Sequence, residues 1–422
     1  MPRLKLHWQI LIALLLAVMV GSIASKESSL LGVSLLSILS FIGTMFLNAL
    51  KMLIVPLIFS SIIVGIGNLG SKGNLGRLGT KTLIYYLFTS ALAILTGLLL
   101  VNLIQPGLID GEPARNILGL SENTESVLAR VEDRGPADVI AIFQRMIPVN
   151  IISAAAQGQM LGLIFFSLLF GYFINHINDG PRETLRNFWQ GVFEVMMKMT
   201  DLVMKFAPIG VFALVAKVVM ISGLAAFKPL AVFFFTVLAA LAIHLLITLP
   251  VILKLIAGVR PVKHFQAMSA ALLTAFSTSS SAATLPITLD CVEKNAGVSN
   301  KTSSFVLPLG ATVNMDGTAL YECVAVLFIA QAYGADLGIA QQISVVVLAL
   351  MTSIGVAGIP AASLVAITLI LTSVGLPAEA IGLILAVDRV LDMCRTSVNV
   401  FSDSCGAVTI ARTEGEETLL TK

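Results

Sequence analysis

Between Asp388 and Asp403 the sequence sets five ionisable side chains, those of Asp388, Arg389, Asp392, Arg395 and Asp403, into sixteen residues. Read as a helix, Asp388, Asp392, Arg395, Thr396, Asn399 and Asp403 fall at i, i+4, i+7, i+8, i+11 and i+15, which is one polar stripe. Val390, Leu391, Met393, Val398 and Val400 leave the other face mostly apolar. A guanidinium is a planar fork that suits a carboxylate, so Arg395 is a candidate ligand for an anionic group. The competing reading is plainer: Asp392 and Arg395, three apart, form an intrahelical ion pair.

The stripe lies in a chain whose solvent is lipid. Hydrophobic residues make up 57% and charged residues 12% of the 422, where a soluble domain is about a quarter charged. The mean hydropathy is +0.95. An integral membrane protein follows. Each ionisable group inside a span costs at least ~2.5 to 3.5 kcal/mol on insertion scales, yet Asp316, Glu322, Asp388, Asp392, Arg395 and Asp403 gather in the last quarter of the chain. Such a gathering argues for a site. A net charge of +2 gives no reason to expect a nucleic-acid partner. Cys291, Cys323, Cys394 and Cys405 stand singly, without the spacing of a zinc site or a disulfide set. No nucleophile, base and oxyanion donor lie together, so the chain is not expected to be an enzyme.

Spans of ~20 apolar residues are expected at about 8 to 25, 36 to 66 (with Lys51 and a kinking Pro56), 82 to 104, 139 to 178, 188 to 220 and 227 to 257. Residues 105–138 form one long polar loop. The first run follows Arg3 and Lys5 but is longer than a signal-peptide core, so it is expected to stay as a span. Basic residues recur in alternate loops: Arg3 and Lys5; Lys72, Arg77 and Lys81; Arg182 and Arg186; Lys254, Arg260 and Lys263. The positive-inside rule places these loops in the cytoplasm.

Beyond residue 260 the pattern changes. Residues 270–276 are too short to span before Ser277-Thr278-Ser279-Ser280-Ser281, and 282–289 are apolar again, which reads as a hairpin entering and leaving on one side. Residues 305–313 and 320–330 are half-spans divided by Asn314-Met315-Asp316-Gly317-Thr318, a helix unwound in mid-membrane. Residues 343–351 and 361–371 flank a second tip, Thr352 to Pro360, rich in Gly and Pro, and the polar stripe follows. Hairpin plus polar helix thus occurs twice, the inverted-repeat pattern of secondary transporters. Backbone freed at such breaks must face protein, ions or solute, because an unsatisfied group in lipid costs several kcal/mol.

Four runs carry a resemblance: Ser279 to Pro286, Asn314 to Tyr321, Gly355 to Pro360, and Asp392-x-x-Arg395-Thr396-x-x-Asn399-Val400-x-x-Asp403. They closely resemble the dicarboxylate/amino acid:cation symporter family, which includes the excitatory amino acid transporters. With Lys51 to Pro56, the resemblance covers essentially the whole chain. It implies an all-α integral membrane fold of eight transmembrane helices plus two re-entrant helical hairpins, arranged as inverted repeats. It also implies a homotrimer that works as an elevator. Residues 1–81 and 139–220, with spans 1, 2, 4 and 5, would form the scaffold and trimerisation domain. Residues 82–104 and 227–412, with spans 3 and 6, both hairpins and the last two helices, would form the transport domain. Residues 105–138 would be an extracellular loop, the second hairpin an extracellular gate, and both termini cytoplasmic.

The resemblance makes Arg395 the ligand of a substrate side-chain carboxylate and Asp392 the acceptor of its ammonium. Asn399, Ser279 and Ser280 would meet the α-carboxylate beside the partially positive N-termini of hairpin helices. Thr318 and Thr396 would add hydrogen bonds. Sodium, a hard cation, takes oxygen ligands. One implied sodium site draws on Gly310, Asn314, Asn399 and Asp403, and a second on Tyr86, Thr89, Ser90, Asn314 and Asp316. A third uses backbone oxygens of Thr312, Ser353, Ile354 and Val356, with Met315 beside it. Glu322 matches the carriers that also move a proton or potassium. Two positions depart from the family: the second arginine, placed just after the residue matching Asp392 in animal carriers and just before the serine tip in archaeal ones, is replaced here by Met393 and Thr278.

His7, His176 and His264 are expected at span ends, His244 as a hydrogen-bonded core residue without an acidic neighbour, and Lys51 snorkelling or locally paired. The expected function is sodium-coupled symport of glutamate or aspartate across the plasma membrane. Neutral amino acids or C4-dicarboxylates are the alternatives on the same fold, Arg395 arguing against the first and Asp392 against the second. A channel is the reading from another class.

Overall fold

The computed structural model describes residues 6–24, 27–30, 32–67, 75–118, 127, 144, 146–157, 160–223, 227–355 and 362–420. These are helical almost throughout. The first three apolar runs become α1 (Leu6–Ile23), α2 (Leu35–Gly67) and α3 (Leu75–Ile104). Short antiparallel ribbons follow two of them, β1 (Ser29–Leu30) with β2 (Val33–Ser34), and β3 (Leu108–Ile109) with β4 (Glu112–Pro113). Residues 75–81, expected in a loop, are the first turns of α3, because Leu78 is buried in the same core as Tyr85 and Tyr86.

The fourth apolar region is two helices, α4 (Ile151–Ala156) and α5 (Met160–Ile174). Asn150 starts α4 by accepting the N–H groups of Ile152 and Ser153 at 2.9 and 3.1 Å. The expected fifth span, 188 to 220, is instead α6 (Asp179–Lys205) and α7 (Ala207–Ser222), bent by 50° at their junction. Pro208, which lacks an N–H, sits in the first turn of α7, where none is needed. α8 (Phe227–Ala257) runs 31 residues with π-turns at His244–Thr248 and Leu253–Ala257. Pro250 cannot join the ordinary ladder, and the wide turn just before it absorbs the mismatch.

Beyond residue 260 the first hairpin and the broken span take shape, while residues 356–361, the tip of the second expected hairpin, lie outside the described residues. α9 (Pro261–Thr278) and α10 (Ser281–Asp290) form the first hairpin, and α11 (Asn300–Val313) and α12 (Asp316–Tyr333) are one span interrupted at two residues. α13 (Ile339–Gly355) and α14 (Ala362–Ser373) flank the second tip, and the stripe lies on α15 (Leu385–Thr413). Among the described residues, 77–104, 227–257 and 300–333 are long and apolar enough to cross a membrane, and the bent α6–α7 pair makes a fourth.

The helices pack in two groups. α1 lies on α7, and α2 lies on α5, α6 and α7, whereas α3, α8, both hairpins and α11 pack around α12 and α15. The apolar window of 300–333 is 100% buried, against 33% and 39% for those of 77–104 and 227–257. The interrupted span therefore runs through the protein interior, while α3 and α8 keep faces for lipid, marked by exposed Leu99, Leu103, Leu246 and Leu255. Gly97 lets α3 close on α12: a Cβ there would stand 2.9 Å from Val324 and 3.2 Å from the Leu320 carbonyl.

Two of the basic segments meet the chain beyond α15. Arg77 and Lys81 bind the Glu414 carboxylate at 2.9 and 2.5 Å, and the Arg260 N–H reaches the Leu420 carbonyl at 3.2 Å. The N-terminus of α3, the start of α9 and the end of α15 thus share one face. Hydrogen bonds from Lys81 and Arg77 hold the Glu414 carboxyl below the usual carboxylate range.

Candidate substrate and cation sites

The charged stripe closes on itself at the start of α15. Arg395, 1% exposed, donates through Nη1 to Asp388 Oδ1 at 3.2 Å and through Nη2 to Asp392 Oδ1 at 2.7 Å. Its guanidinium carbon lies 4.0 Å from the ring centroid of Tyr321 on α12. The other oxygen of Asp392, Oδ2, accepts from Arg389 Nη1 at 3.3 Å. The intrahelical pair between Asp392 and Arg395 therefore forms, and Asp388 and Arg389 extend it at both ends. Sequence reasoning put Asp388 in the stripe without naming a partner for it and gave Arg389 no role, although spacings of seven and three residues allow these contacts with Arg395 and Asp392. Two acids meet two bases, and the Nε atoms of both arginines are buried without a hydrogen-bond partner among the described residues. Donors therefore remain for an incoming acceptor.

Below this quartet, α15 crosses the break between α11 and α12. Asn399 Oδ1 accepts the Gly317 N–H at 2.8 Å, and Asn399 Nδ2 donates to Thr318 Oγ1 at 3.1 Å and contacts Met315 Sδ at 3.7 Å. Gly317 permits the approach, since a Cβ there would stand 2.7 Å from the Arg395 carbonyl. Thr396 turns its hydroxyl back to the Asp392 carbonyl at 2.8 Å. α9 and α10 both pack on α15. At their tip, Ser279 takes the left-handed conformation, φ 50°, and its buried Oγ has no hydrogen-bond partner among the described residues. That conformation costs an ordinary residue about 1 kcal/mol. Ser280 caps α10 through the Ala283 N–H at 3.2 Å.

A second cluster is built from oxygens. Asp316 Oδ1 accepts from Ser90 Oγ at 2.6 Å and Thr89 Oγ1 at 3.3 Å, and Oδ2 accepts from Ser402 Oγ at 2.6 Å. His244 Nε2 lies 3.0 Å from Oδ2, so the expectation that His244 has no acidic neighbour is corrected. The π-turn of α8 brings it there, 72 residues from its partner, and nothing local in sequence announces the contact. Asn314 Nδ2 donates to Asp403 Oδ1 at 2.9 Å and to Ser402 Oγ at 3.0 Å. Gly310 allows Asp403 and Tyr86 to approach: a Cβ there would stand 2.4 Å from Asp403 Oδ1 and 2.6 Å from the Tyr86 hydroxyl. Most of two of the three implied sodium sets are thus brought together, meeting at Asn314, while the Asn399 side chain is engaged by Gly317, Thr318 and Met315. Among the described residues neither Asp316 nor Asp403 pairs with a lysine or arginine.

The third set is joined less directly. α11 touches α13, but the Thr312 hydroxyl returns to Leu309 O at 2.9 Å and that of Ser353 to Leu350 O at 2.8 Å. Ile354 lies in the last turn of α13, and Val356 lies outside the described residues, as do the side chains of His7 and Lys51. Glu322 is fully buried on α12, with Oε2 2.7 Å from Thr352 Oγ1 on the second hairpin and Oε1 without a hydrogen-bond partner among the described residues. His176 is exposed, as a residue near a span end, whereas His264 is not: it is fully buried, 2.9 Å from Ser404 Oγ, with its ring 5.2 Å from that of Phe401. Its place on the inward face of α9 overrides its nearness to the loop.

A family model described as the sodium:dicarboxylate symporter family matches residues 6–413. The chain belongs to the sodium:dicarboxylate symporter family. This is a family of symporters, not of enzymes, and the mostly helical, multi-pass architecture is that of a membrane transporter. The chain is 35% identical over 417 residues to a proton/sodium-glutamate symport protein of Geobacillus stearothermophilus, covering 99% of this chain and 96% of that one. It is 35% identical over 412 residues to a proton/glutamate-aspartate symporter of Escherichia coli, covering 98% and 93%. It is 36% identical over 458 residues to excitatory amino acid transporter 3 of Homo sapiens, covering 98% and 87%.

Proposed function

We propose that this symporter carries glutamate or aspartate inward with sodium, and that Glu322 carries a proton. The observation that bears most weight is Arg395, a fully buried guanidinium clamped between Asp388 and Asp392 beside a cluster of carboxylate, amide and hydroxyl oxygens. A substrate side-chain carboxylate takes the fork of Arg395, its ammonium takes Asp392, and its α-carboxylate meets Asn399, Ser279 and Ser280, with Thr318 and Thr396 nearby. Sodium ions are cargo as well as charge. The donors fit a hard cation, since Asp316, Asp403, Asn314, Thr89, Ser90 and Tyr86 can each offer an oxygen and the bonds now among them are exchangeable.

Glu322 and Thr352 fit a shared proton. Thr352 Oγ1 has one hydrogen and lies 2.8 Å from Leu348 O and 2.7 Å from Glu322 Oε2, so a protonated Glu322 satisfies both contacts at once. The names of the bacterial relatives, which include proton, support this ion over potassium.

The architecture we infer has eight spans and two re-entrant hairpins in a homotrimer at the plasma membrane, with both termini cytoplasmic. The group around α12 and α15 moves as an elevator past the group formed by α1, α2, α5, α6 and α7. The two-group packing supports it, as does the shared face of the basic segments and the chain end. The test is uptake of labelled aspartate, glutamate, serine and succinate into proteoliposomes with and without an inward sodium gradient. Concentrative, sodium-dependent uptake of an acidic amino acid is expected. Flux without accumulation would instead mean a channel, and serine or succinate as the preferred solute would sink the substrate assignment.

A further inference from the structure

We propose that Arg389 is a second positioning arginine of the substrate site: it holds Asp392 in place and balances its charge when Arg395 turns its fork to a substrate carboxylate. The inference rests on the reading of an acidic amino acid carrier and deepens it. The two oxygens of Asp392 are divided between two arginines, Oδ1 with Arg395 Nη2 at 2.7 Å and Oδ2 with Arg389 Nη1 at 3.3 Å. A substrate carboxylate that takes Arg395 draws that arginine away from Asp388 and Asp392. Carboxylates left alone in a site this secluded are strongly disfavoured, so an arginine that stays behind lowers the cost of the exchange. Arg389 stands ready for this, since its side chain is 12% exposed, its Nε is buried without a hydrogen-bond partner among the described residues, and it engages only the oxygen that Arg395 does not use.

Charge counting gives the same answer. Asp388, Arg389, Asp392 and Arg395 sum to zero, and an acidic amino acid brings one net negative charge. Without Arg389 the four positions would carry a net negative charge before substrate arrives, which opposes an acidic solute more than a zwitterionic one. Arg389 therefore acts on discrimination as well as on affinity. Arg389 precedes Met393 by four residues, one turn along the same face, so an arginine at either position can serve Asp392.

The test is transport by full-length protein in proteoliposomes, with KM and Vmax measured for aspartate and serine. In Arg389→Ala the aspartate KM is expected to rise about tenfold or more, the scale of a charge-assisted contact, with Vmax within about twofold and the serine-to-aspartate preference shifted toward serine. Arg389→Ala/Met393→Arg is expected to recover most of the aspartate KM, which a merely structural role does not predict. If Arg389→Ala does not fold, Arg389→Gln, which keeps length and packing but not charge, replaces it with the same expectation. An unchanged KM, or a loss confined to Vmax, overturns the proposal while leaving acidic amino acid transport standing. Transport of serine but not aspartate by the native protein overturns both.

Discussion

At the start of α15 four charged side chains satisfy one another, Asp388 and Asp392 against Arg389 and Arg395, whereas around Asp316 and Asp403 the carboxylates are met by hydroxyls, an amide and an imidazole. Both clusters are buried and both are polar, but they differ in what they still require. The quartet is electrically complete, so under the proposed function an acidic amino acid enters it by exchanging partners. The oxygen cluster holds carboxylates without a lysine or arginine partner among the described residues, and under the proposed function a cation from outside completes it. Asn399 joins the two, because its side chain ties Gly317, Thr318 and Met315 to α15 one turn after Arg395. Ordering one cluster therefore orders the backbone that serves the other, a physical route to coupling.

The sharpest way to break this comparison is Arg395→Cys. Losing the arginine leaves Asp388 and Asp392 unpaired on that side, a change of roughly 3 to 5 kcal/mol for a buried pair. Uptake of acidic amino acids is expected to fall by at least about a hundredfold, with serine accepted instead, as measured in proteoliposomes. Retained aspartate uptake would mean that the fork serves structure alone.

The oxygen cluster is sharpened by His244→Ala. The imidazole orients Asp316, and removal of such an outer partner changes cation affinity by about ten- to a hundredfold. The sodium concentration for half-maximal uptake should rise by about tenfold with the aspartate KM at saturating sodium little changed, and His244→Gln should restore part of it. A rise in the aspartate KM alone would contradict the division between the clusters.

Glu322→Gln tests a group outside both. The amide can donate to Thr352 but cannot release a proton, so uptake is expected to continue with its dependence on external pH flattened. Persistence of the native pH and potassium dependence would remove Glu322 from coupling.

The smallest effect is expected at Glu414. Its carboxyl is held below the usual range by hydrogen bonds from Lys81 and then Arg77, so its contribution to stability is present above the ordinary carboxylate pKa of about 4.3 and is lost as pH falls through the lowered value. Thermal melts of Glu414→Gln should differ from native by no more than about 2 °C at neutral pH. That difference should vanish in acid.

Much of this was legible from residue order. Three apolar runs became α1, α2 and α3, the break expected over Asn314 to Thr318 narrows to Asn314 and Met315 between α11 and α12, and the first hairpin turns where a serine-rich tip divides two short apolar runs. The bend between α6 and α7 was missed because a continuous apolar reading across 188 to 220 hides a junction marked by one proline. His264 was misplaced because nearness to a loop says little about which face of a helix turns inward.

The sequence by itself determined the solvent, the positions of the breaks and the residues of the polar stripe, since each follows from local composition and helical period. Only the tertiary structure decided the partners. It set His244 against Asp316 and the Arg395 guanidinium over Tyr321, contacts that span 72 and 74 residues of chain. Such pairs depend on where separate helices cross, and the crossing is set by packing of whole helix faces around α12 and α15. No spacing within one helix contains that information.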